Sequence, residues 1–324
     1  MDVYCIGLAV MDILASPVCR EDFDVDSIYL ETLEYQSGGD ALNAAINMAS
    51  LGLEVSLIGR AGNDSAGKSL LKAAADAGVN TERFILDEEC PTSTSIVMVD
   101  KNGNRHFAYH GKCNDRLSIE DMDISAFEKG SIVHVGSAMA LASLDGPGLT
   151  ELFKKAKEKG CITSMDVTWD RSGKWLEKID AALAYTDFFL PSLNEARLIT
   201  KRDEPEEIAR FFSSYGISKF VIKMGEKGCF ATDFKDSHYI PSLKHSNVVD
   251  TTGAGDAFVS GFLFGAKRGL DILSCARLGS LVASEAIGCF GSTTGIRKKF
   301  LHRRDESEKI IETAMDERYW EAQA

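Results

Sequence analysis

The strongest candidates for catalytic and anion-binding residues lie in one short stretch, residues 248–258, which reads V-V-D-T-T-G-A-G-D-A-F. A β-branched run ends there in a glycine-containing turn, and a helical pattern begins at Asp256. Because a helix N-terminus leaves its first amides unpaired, this turn predicts an anion site. The amides that would face outward are those of Gly253, Ala254, Gly255 and Asp256.

The carboxylate within this predicted anion site needs an explanation, because it repels the phosphate that the amides attract. Asp256 fits a general base that takes a proton from a nucleophile attacking that phosphate. The competing interpretation is a helix N-cap Asp behind a glycine turn. The stretch therefore favours phosphoryl transfer, with helix capping as the alternative.

A second glycine turn opens a helix near the N-terminus, where residues 37–45 read S-G-G-D-A-L-N-A-A. Asp40 and Asn43 follow the glycine pair, and both can hydrogen-bond the hydroxyl groups of a polyol. Asp12 follows the apolar run at 3–9, at the carboxyl end of a buried strand, where open α/β sheets place their ligands. Taken singly, these features also fit a helix-capping turn and a solvated loop acid.

Composition restricts the class of protein and its partners. The 324 residues, 44% hydrophobic and 26% charged, are typical of a globular enzyme and predict one α/β domain with an appendage, residues 1–324. A net charge of −13 argues against nucleic acid or an anionic membrane as partners. The same charge repels nucleotide phosphates at long range, so an ATP site would need local cations and a metal.

The cysteines and the apolar runs indicate the cellular compartment of the protein. The eight cysteines contain no C-x-x-C pair. The sequence shows no signal peptide and no apolar run of transmembrane length, so we expect reduced thiols in a cytoplasmic protein.

The hydrophobic pattern predicts alternating strands and helices around these motifs. Residues 92–100 and 104–109 flank Lys101-Asn102-Gly103, which indicates a hairpin. Predicted strands are at 3–9, 54–59, 132–135, 162–166, 187–190 and 219–223. Predicted helices are at 40–51, 64–77, 149–159, 195–200, 204–215, 272–288 and 303–320.

A second nucleotide motif competes with the first. Residues 62–69, G-N-D-S-A-G-K-S, fit the P-loop pattern between a strand and a helix. Asp64 would place carboxylate charge in that phosphate cradle, whereas it is well placed as a helix N-cap. We therefore expect Lys68 to be a surface lysine, and a P-loop NTPase that uses Gly62–Ser69 stays as an alternative.

Together, the stretches at 37–45 and 248–261 resemble the N-terminal and C-terminal signatures of the ribokinase-like (PfkB) family of carbohydrate kinases. The resemblance covers about 300 residues. It implies a three-layer α/β/α core with a mostly parallel central sheet, plus a small β-sheet lid. The lid strands would come from about 13–35 and 92–110, inserted into a single domain.

The resemblance also implies roles on the acceptor side. Asp256 matches the family's catalytic base, and Asp12, Gly39 and Asn43 match the positions that hold the sugar. Asp40 stands next to them, where some relatives carry Lys. Arg105 is a further candidate sugar or phosphate contact, with an exposed strand cation as its alternative.

The ATP side follows from the same resemblance. Lys223-x-Gly225-x-x-Gly228 resembles a turn near the nucleotide, and Glu195 matches a residue that organises Mg²⁺ through water. The family has Asn where this chain has Ser192, and a helix cap is the alternative role of Glu195. Asp250 is a candidate K⁺ ligand. The remaining candidate ATP contacts are Thr252, Gly253, Gly255 and Gly291.

These motifs predict an ATP-dependent kinase that phosphorylates a hydroxymethyl group of a sugar, with ATP and Mg²⁺ as cofactors. A nucleoside kinase on the same scaffold stays open, as does a non-catalytic sugar sensor, against which Asp256 argues. The acceptor, and whether it already carries a phosphate, is not determined by the sequence. The resemblance further implies a homodimer that pairs through the lid.

Overall fold

The computed structural model describes residues 1–101, 105–243 and 248–323. The strands are β1 Val3–Gly7, β2 Val10–Ser16, β3 Thr32–Gly38, β4 Val55–Ile58, β5 Arg60–Gly62, β6 Ile85–Asp87, β7 Thr94–Val99, β8 Arg105–His110, β9 Ile132–Ala138, β10 Ile162–Val167, β11 Phe188–Phe189, β12 Lys219–Lys223, β13 Cys229–Thr232 and β14 Ser237–Ile240. The helices are α1 Asp40–Ser50, α2 Ser65–Asp76, α3 Pro147–Glu158, α4 Asp180–Leu183, α5 Leu193–Thr200, α6 Pro205–Phe212, α7 Ala254–Lys267, α8 Ile272–Ile287, α9 Thr294–Phe300, α10 Arg304–Met315 and α11 Glu317–Glu321.

The central sheet has eight strands in the order β14-β13-β12-β11-β10-β9-β1-β4. From β12 to β4 every pair is parallel, which confirms the predicted strands at 132–135, 162–166 and 219–223. The antiparallel edge formed by β13 and β14 is not part of the sequence prediction. Because parallel strands end on one side of a sheet, their last residues meet along one edge.

Helices cover both faces of this sheet and bury two separate apolar clusters. One cluster includes Leu42, Phe262 and Leu278 from α1, α7 and α8. The other includes Phe153 of α3 and Phe212 of α6. A strand buried on both faces reads as a continuous apolar run, which is why β1 and β9 were predictable from sequence. The result is the predicted three-layer α/β/α arrangement.

A smaller sheet of four strands, in the order β3-β2-β7-β8, lies outside the central sheet. Its strands begin and end differently from the prediction, since β2 starts at Val10 and β3 ends at Gly38. Asp12 therefore lies within β2, opposite Gln36 of β3. Strands β7 and β8 pair antiparallel as the hairpin prediction requires. The turn residues Asn102 and Gly103 lie outside the described residues, and the single-domain assignment stays a prediction.

Helices α7 and α8 pack closely because glycines line their contact. A Cβ built on Gly261 would lie 2.5 Å from the carbonyl oxygen of Leu278, and one on Gly279 would lie 2.9 Å from the Phe258 ring. The predicted 272–288 helix therefore packs directly on the helix that carries Asp256. Within the described residues, none of the helices has the length and apolar character needed to cross a bilayer.

Candidate active site

The N-terminus of α7 forms the centre of the site. The helix begins at Ala254, two residues earlier than predicted, and Gly253 caps it with φ 73°. A side chain at Gly253 is excluded, since its Cβ would lie 2.4 Å from the Cβ of Ser292. The Ala254 amide, which was predicted to face outward unpaired, instead donates to the Thr251 carbonyl at 3.3 Å. The next amides of the first turn have no acceptor within the helix, as the predicted anion site requires.

Gly255 leaves the space in front of these amides open. A Cβ at this position would have a single neighbour within 4 Å, the Lys223 ammonium nitrogen at 3.6 Å. The position does not need glycine for its backbone angles, so the absent side chain leaves room for a ligand. Phosphate oxygens are the groups that such a helix N-terminus binds.

The N-terminus of α1 meets that of α7. Gly39 caps α1 with φ 94°, and a Cβ there would lie 2.5 Å from the Leu8 carbonyl oxygen. One turn further on, the Asn43 amide nitrogen donates to Asp256 Oδ2 at 2.8 Å. Asn43 is buried, and its Oδ1 has no hydrogen-bond partner among the described residues. Asn43 therefore orients Asp256 and keeps one acceptor for a ligand.

Three carboxyl groups crowd this end of the site. Burial, together with the charge of Asp40, raises the pKa of Asp256 well above its usual value. The same two causes raise the pKa of Asp12 to about 7. Burial also raises the pKa of Asp40, although the Ser137 hydroxyl donates a hydrogen bond to it. Each carboxyl group makes its neighbours harder to ionise.

A cavity of about 690 Å³ opens beside the α7 N-terminus. The predicted site residues that line it are Asp40, Glu195, Lys223, Gly225, Gly228, Ala254, Gly255 and Asp256. Ser280, Ala283 and Ser284 of α8 form part of its wall. The size fits a nucleotide-sized ligand.

Seven other predicted residues with described side chains lie outside this lining. Asn43 contacts Asp256 from α1, and Asp12 lies by the glycine pair, where a Cβ on Gly38 would be 2.0 Å from Asp12 Oδ2. These two lie with Gly39 on the side of the small sheet. Asp250 accepts the amides of Thr252 and Gly291, at 2.8 and 3.0 Å. Gly253 is the helix cap.

Asp166 is a site residue that the sequence argument missed. It lies near the end of β10, is buried, and forms an ion pair with Lys223 at 2.5 Å. Burial raises the pKa of Asp166 to about 7 despite this cation. The available signal was an acid at the carboxyl end of a buried parallel strand, the same signal that singled out Asp12.

Glu195 is a helix-capping residue, which was the alternative to its predicted Mg²⁺ role. The Ser192 amide donates to Glu195 Oε2 at 2.8 Å, and the Glu195 amide donates to Ser192 Oγ at 3.4 Å, which is a capping box. Glu195 also lines the cavity, as does Asp166. Among the described residues, no group of three or more His, Cys, Asp or Glu side chains could hold a metal alone. One or two carboxylates beside a phosphate site fit Mg²⁺, which keeps waters and phosphate oxygens as its other ligands.

The hydrogen bonds of the Asp64 carboxylate argue against a P-loop at residues 62–69. Its Oδ1 accepts the Gly67 amide at 2.8 Å, and its Oδ2 accepts the Thr92 amide at 2.9 Å. The carboxylate thus occupies an amide that a bound phosphate would need, and Asp64 is the N-cap of α2 as predicted. Lys68 is exposed, also as predicted. The backbone of Arg105 begins β8, but its side chain lies outside the described residues.

The sequence model of pfkB family carbohydrate kinases matches residues 1–299. The chain belongs to this family. It is therefore a carbohydrate kinase, which is a phosphotransferase with an alcohol group as acceptor, and the predicted enzyme class is confirmed. The pfkB family uses ATP, and its two signatures meet in this chain at the hydrogen bond between Asn43 and Asp256.

Individual relatives agree with the family assignment. An uncharacterized sugar kinase from Archaeoglobus fulgidus is 30% identical over 251 residues, which cover 78% of this chain and 98% of the relative. An ATP-dependent 6-phosphofructokinase from Thermoanaerobacterium thermosaccharolyticum is 27% identical over 303 residues, covering 90% and 89%. The structure of a putative ribokinase II from E. coli in complex with ATP and Mg²⁺ superposes with a TM-score of 0.79 at 22% identity, covering 96% of this chain and 99% of that one. This likeness confirms the ribokinase-like fold.

The raised pKa of Asp256 predicts that its ionised form destabilises the pfkB chain. The folded pKa lies above the unfolded one, so the stability that the protonated form provides is lost as pH rises through the folded pKa. Asp256→Asn keeps an acceptor for Asn43 and removes the charge. At about pH 8 we expect a higher Tm than wild type, by roughly 2–4 °C for each kcal/mol gained.

The gain should shrink at about pH 5, where more of the wild-type carboxyl is protonated. Thermal unfolding at both pH values measures it, with the exposed Asp236→Asn as the control that changes little. A lower Tm for Asp256→Asn at the higher pH would show that the carboxylate stabilises the fold.

Proposed function

We propose that this pfkB kinase transfers the γ-phosphoryl group of ATP to a hydroxymethyl group of an uncharged sugar, with Asp256 as the general base. One observation carries the proposal. The Asp256 carboxyl is held by Asn43 at the N-terminus of α7, where the small-sheet side of the site meets the nucleotide-sized cavity. A carboxylate at that junction is placed between an acceptor hydroxyl and a phosphate.

The chemistry follows from the groups at that junction. Asp256 takes the proton of the hydroxymethyl oxygen, which then attacks the γ-phosphorus while the bond to the β-phosphate oxygen of ADP breaks. A raised pKa makes Asp256 a stronger base than an exposed aspartate. The first-turn amides of α7 donate to the oxygens of the transferring group, where negative charge must be stabilised.

Cations complete the nucleotide side of the proposal. Mg²⁺, when bound, would supply the positive charge that neutralises the phosphates. Glu195 would orient its waters, since its carboxylate lines the cavity beside the anion site. K⁺ beside Asp250 is the second proposed ion, although both carboxylate oxygens of Asp250 already accept backbone amides that fix the turn.

Electrostatics favours an uncharged acceptor. Asp12, Asp40 and Asp256 converge on the acceptor side. Burial raises the pKa of each, and the charge of Asp40 further raises the pKa of Asp12 and Asp256. A phosphate or carboxylate on the acceptor would add a like charge within a few ångströms, which costs several kcal/mol at an effective dielectric of about 20. Hydroxyl groups instead donate hydrogen bonds to these carboxyl oxygens and to Asn43 Oδ1.

We predict that wild type phosphorylates a free sugar such as ribose or fructose with a kcat/KM at least about tenfold above that for fructose 6-phosphate. Asp256→Asn should lower kcat on the best acceptor by ~10²–10⁴-fold. An ADP-release assay over free sugars, phosphosugars, sugar acids and nucleosides measures both, in K⁺ and in tetramethylammonium buffers. Preference for the phosphosugar would overturn the charge argument, and a near-wild-type kcat would remove Asp256 from the base role.

The two nucleotide motifs give a second comparison. We expect Gly255→Ala to fold, since the added methyl meets only Lys223 Nζ at 3.6 Å. Turnover should fall by at least about 100-fold, because the methyl takes the space in front of the phosphate-binding amides. Lys68→Ala, on the exposed face of α2, should keep at least about half of the wild-type kcat/KM for ATP. Steady-state kinetics on both variants decides, and an inactive Lys68→Ala beside an active Gly255→Ala would restore the P-loop interpretation.

We also propose that the small sheet is the lid and that the protein is a homodimer through it. Leu33, Tyr35 and Ile96 are 53, 66 and 43% exposed. Tyr35 and Ile96 both lie opposite Ile13, so they share one face of the sheet. A row of exposed apolar side chains on one face is typical of an interaction surface.

Sedimentation tests this pairing. The 35.3 kDa chain should sediment at twice its mass, and Tyr35→Glu should shift it toward the monomer, because a buried unpaired carboxylate opposes association. Met315→Glu, at an exposed apolar position on α10, should leave the dimer intact. A monomeric wild type would end the proposal.

A further inference from the structure

Lys223 is the only basic residue among the described residues that line the cavity, where it faces five acidic ones. It ends β12, where its backbone amide donates to the Pro191 carbonyl at 2.9 Å. Its side chain is 14% exposed. A lysine held this deeply beside a proposed phosphate site is a stronger candidate for ligand contact than the exposed turn that follows it.

The Lys223 ammonium group lies between the Asp166 carboxylate and the open space in front of the α7 amides. On one side it donates to Asp166 Oδ2 at 2.5 Å. On the other side it lies 3.6 Å from where a Cβ of Gly255 would be, next to the open space before the α7 amides. The long, flexible lysine stem lets the ammonium turn from one side to the other without backbone movement.

The ammonium also keeps its charge in this position. Burial lowers the pKa of Lys223, but the carboxylates of Asp166 and Glu195 outweigh burial, and the net shift is upward. A permanently protonated lysine donates hydrogen bonds and does not exchange a proton during the reaction. It can therefore compensate phosphate charge but cannot act as a base.

We propose that Lys223 is a catalytic residue that contacts the γ-phosphoryl group of ATP, and that Asp166 is its counter-ion while the nucleotide is absent. The ammonium turns from Asp166 toward the oxygens of the transferring group and stays there as the group moves to the acceptor. The bond that forms and the bond that breaks are those of the proposed function, on which this inference rests. Lys223 adds the local cation that a chain of charge −13 needs at a phosphate site.

The competing explanation is a structural ion pair between the ends of β10 and β12. A structural pair would affect the binding of ADP and of an ATP analogue equally, or neither. A γ-phosphoryl contact would affect the triphosphate alone. The comparison of the two nucleotides therefore separates the explanations without depending on turnover.

Lys223→Met removes the charge and keeps the length of the side chain. We expect it to weaken binding of the non-hydrolysable analogue AMP-PNP about 10- to 100-fold, the range for a lost hydrogen bond to a charged group. ADP affinity should change by less than about threefold. Titration calorimetry with Mg²⁺ on the full chain measures both, and Lys227→Met, an exposed lysine on the turn after β12, is the matched control that changes neither.

Removing Lys223 alone leaves Asp166 buried without its cation, which destabilises the fold independently of nucleotide binding. The double variant Asp166→Asn with Lys223→Met removes both charges and should fold. It should show the same selective loss of AMP-PNP binding. Lys223→Arg should recover part of that loss.

The outcomes are distinct. Equal losses for ADP and AMP-PNP, or no loss for either, would overturn the proposed role of Lys223. If the wild-type protein binds neither ADP nor AMP-PNP, the proposed function itself is contradicted. A selective loss of the triphosphate, with a kcat lowered at least about 100-fold, supports both.

Discussion

The hydrogen bond from Asn43 to Asp256 is the contact on which the site depends, because it joins helices from opposite ends of the chain. For the 2.8 Å bond to form, the N-termini of α1 and α7 must lie side by side. Small residues make that approach feasible, and Ser260 Oγ reaches the Ala44 carbonyl at 3.4 Å one turn further along. A buried hydrogen bond to a charged group contributes roughly 1.5–3 kcal/mol. Its larger effect is geometric, since it fixes one carboxylate between two ligand sites.

This arrangement has an energetic cost that the ligand-free protein bears. Burial raises the pKa of Asp40, Asp166 and Asp256, which means that their ionised forms oppose folding at neutral pH. Lys223 offsets part of that repulsion from the end of β12. Under the proposed function, a sugar that supplies hydroxyl donors and a nucleotide that brings Mg²⁺ would relieve the rest. Such concentration of like charge is typical of sites selected for function at the expense of stability.

The sequence predicts the parts of this site that depend on local structure. Each of these parts depends on a few consecutive residues, and each is observed: the glycine turns before helices, the Asp64 cap and the apolar strands. The contacts between distant segments are not predictable in this way. Asn43 was expected to hold the sugar directly, and its bond to a residue 213 positions away depends on how α1 packs against α7. The pairing of Asp166 with Lys223 depends likewise on β11 lying between their strands.

The two sides of the site are built by different parts of the fold, and this bears on how specificity arises. The proposed nucleotide side lies at the carboxyl ends of β10 and β12 and at α7, all of which belong to the central sheet and its helices. The proposed acceptor side takes Asp12 from β2 of the small sheet, opposite Gln36 of β3. Under the proposed function, Asp40 and Asp256 lie at the junction of the two. A change in the small sheet would then alter which alcohol is bound while the position of Asp256 and of the α7 amides stays the same.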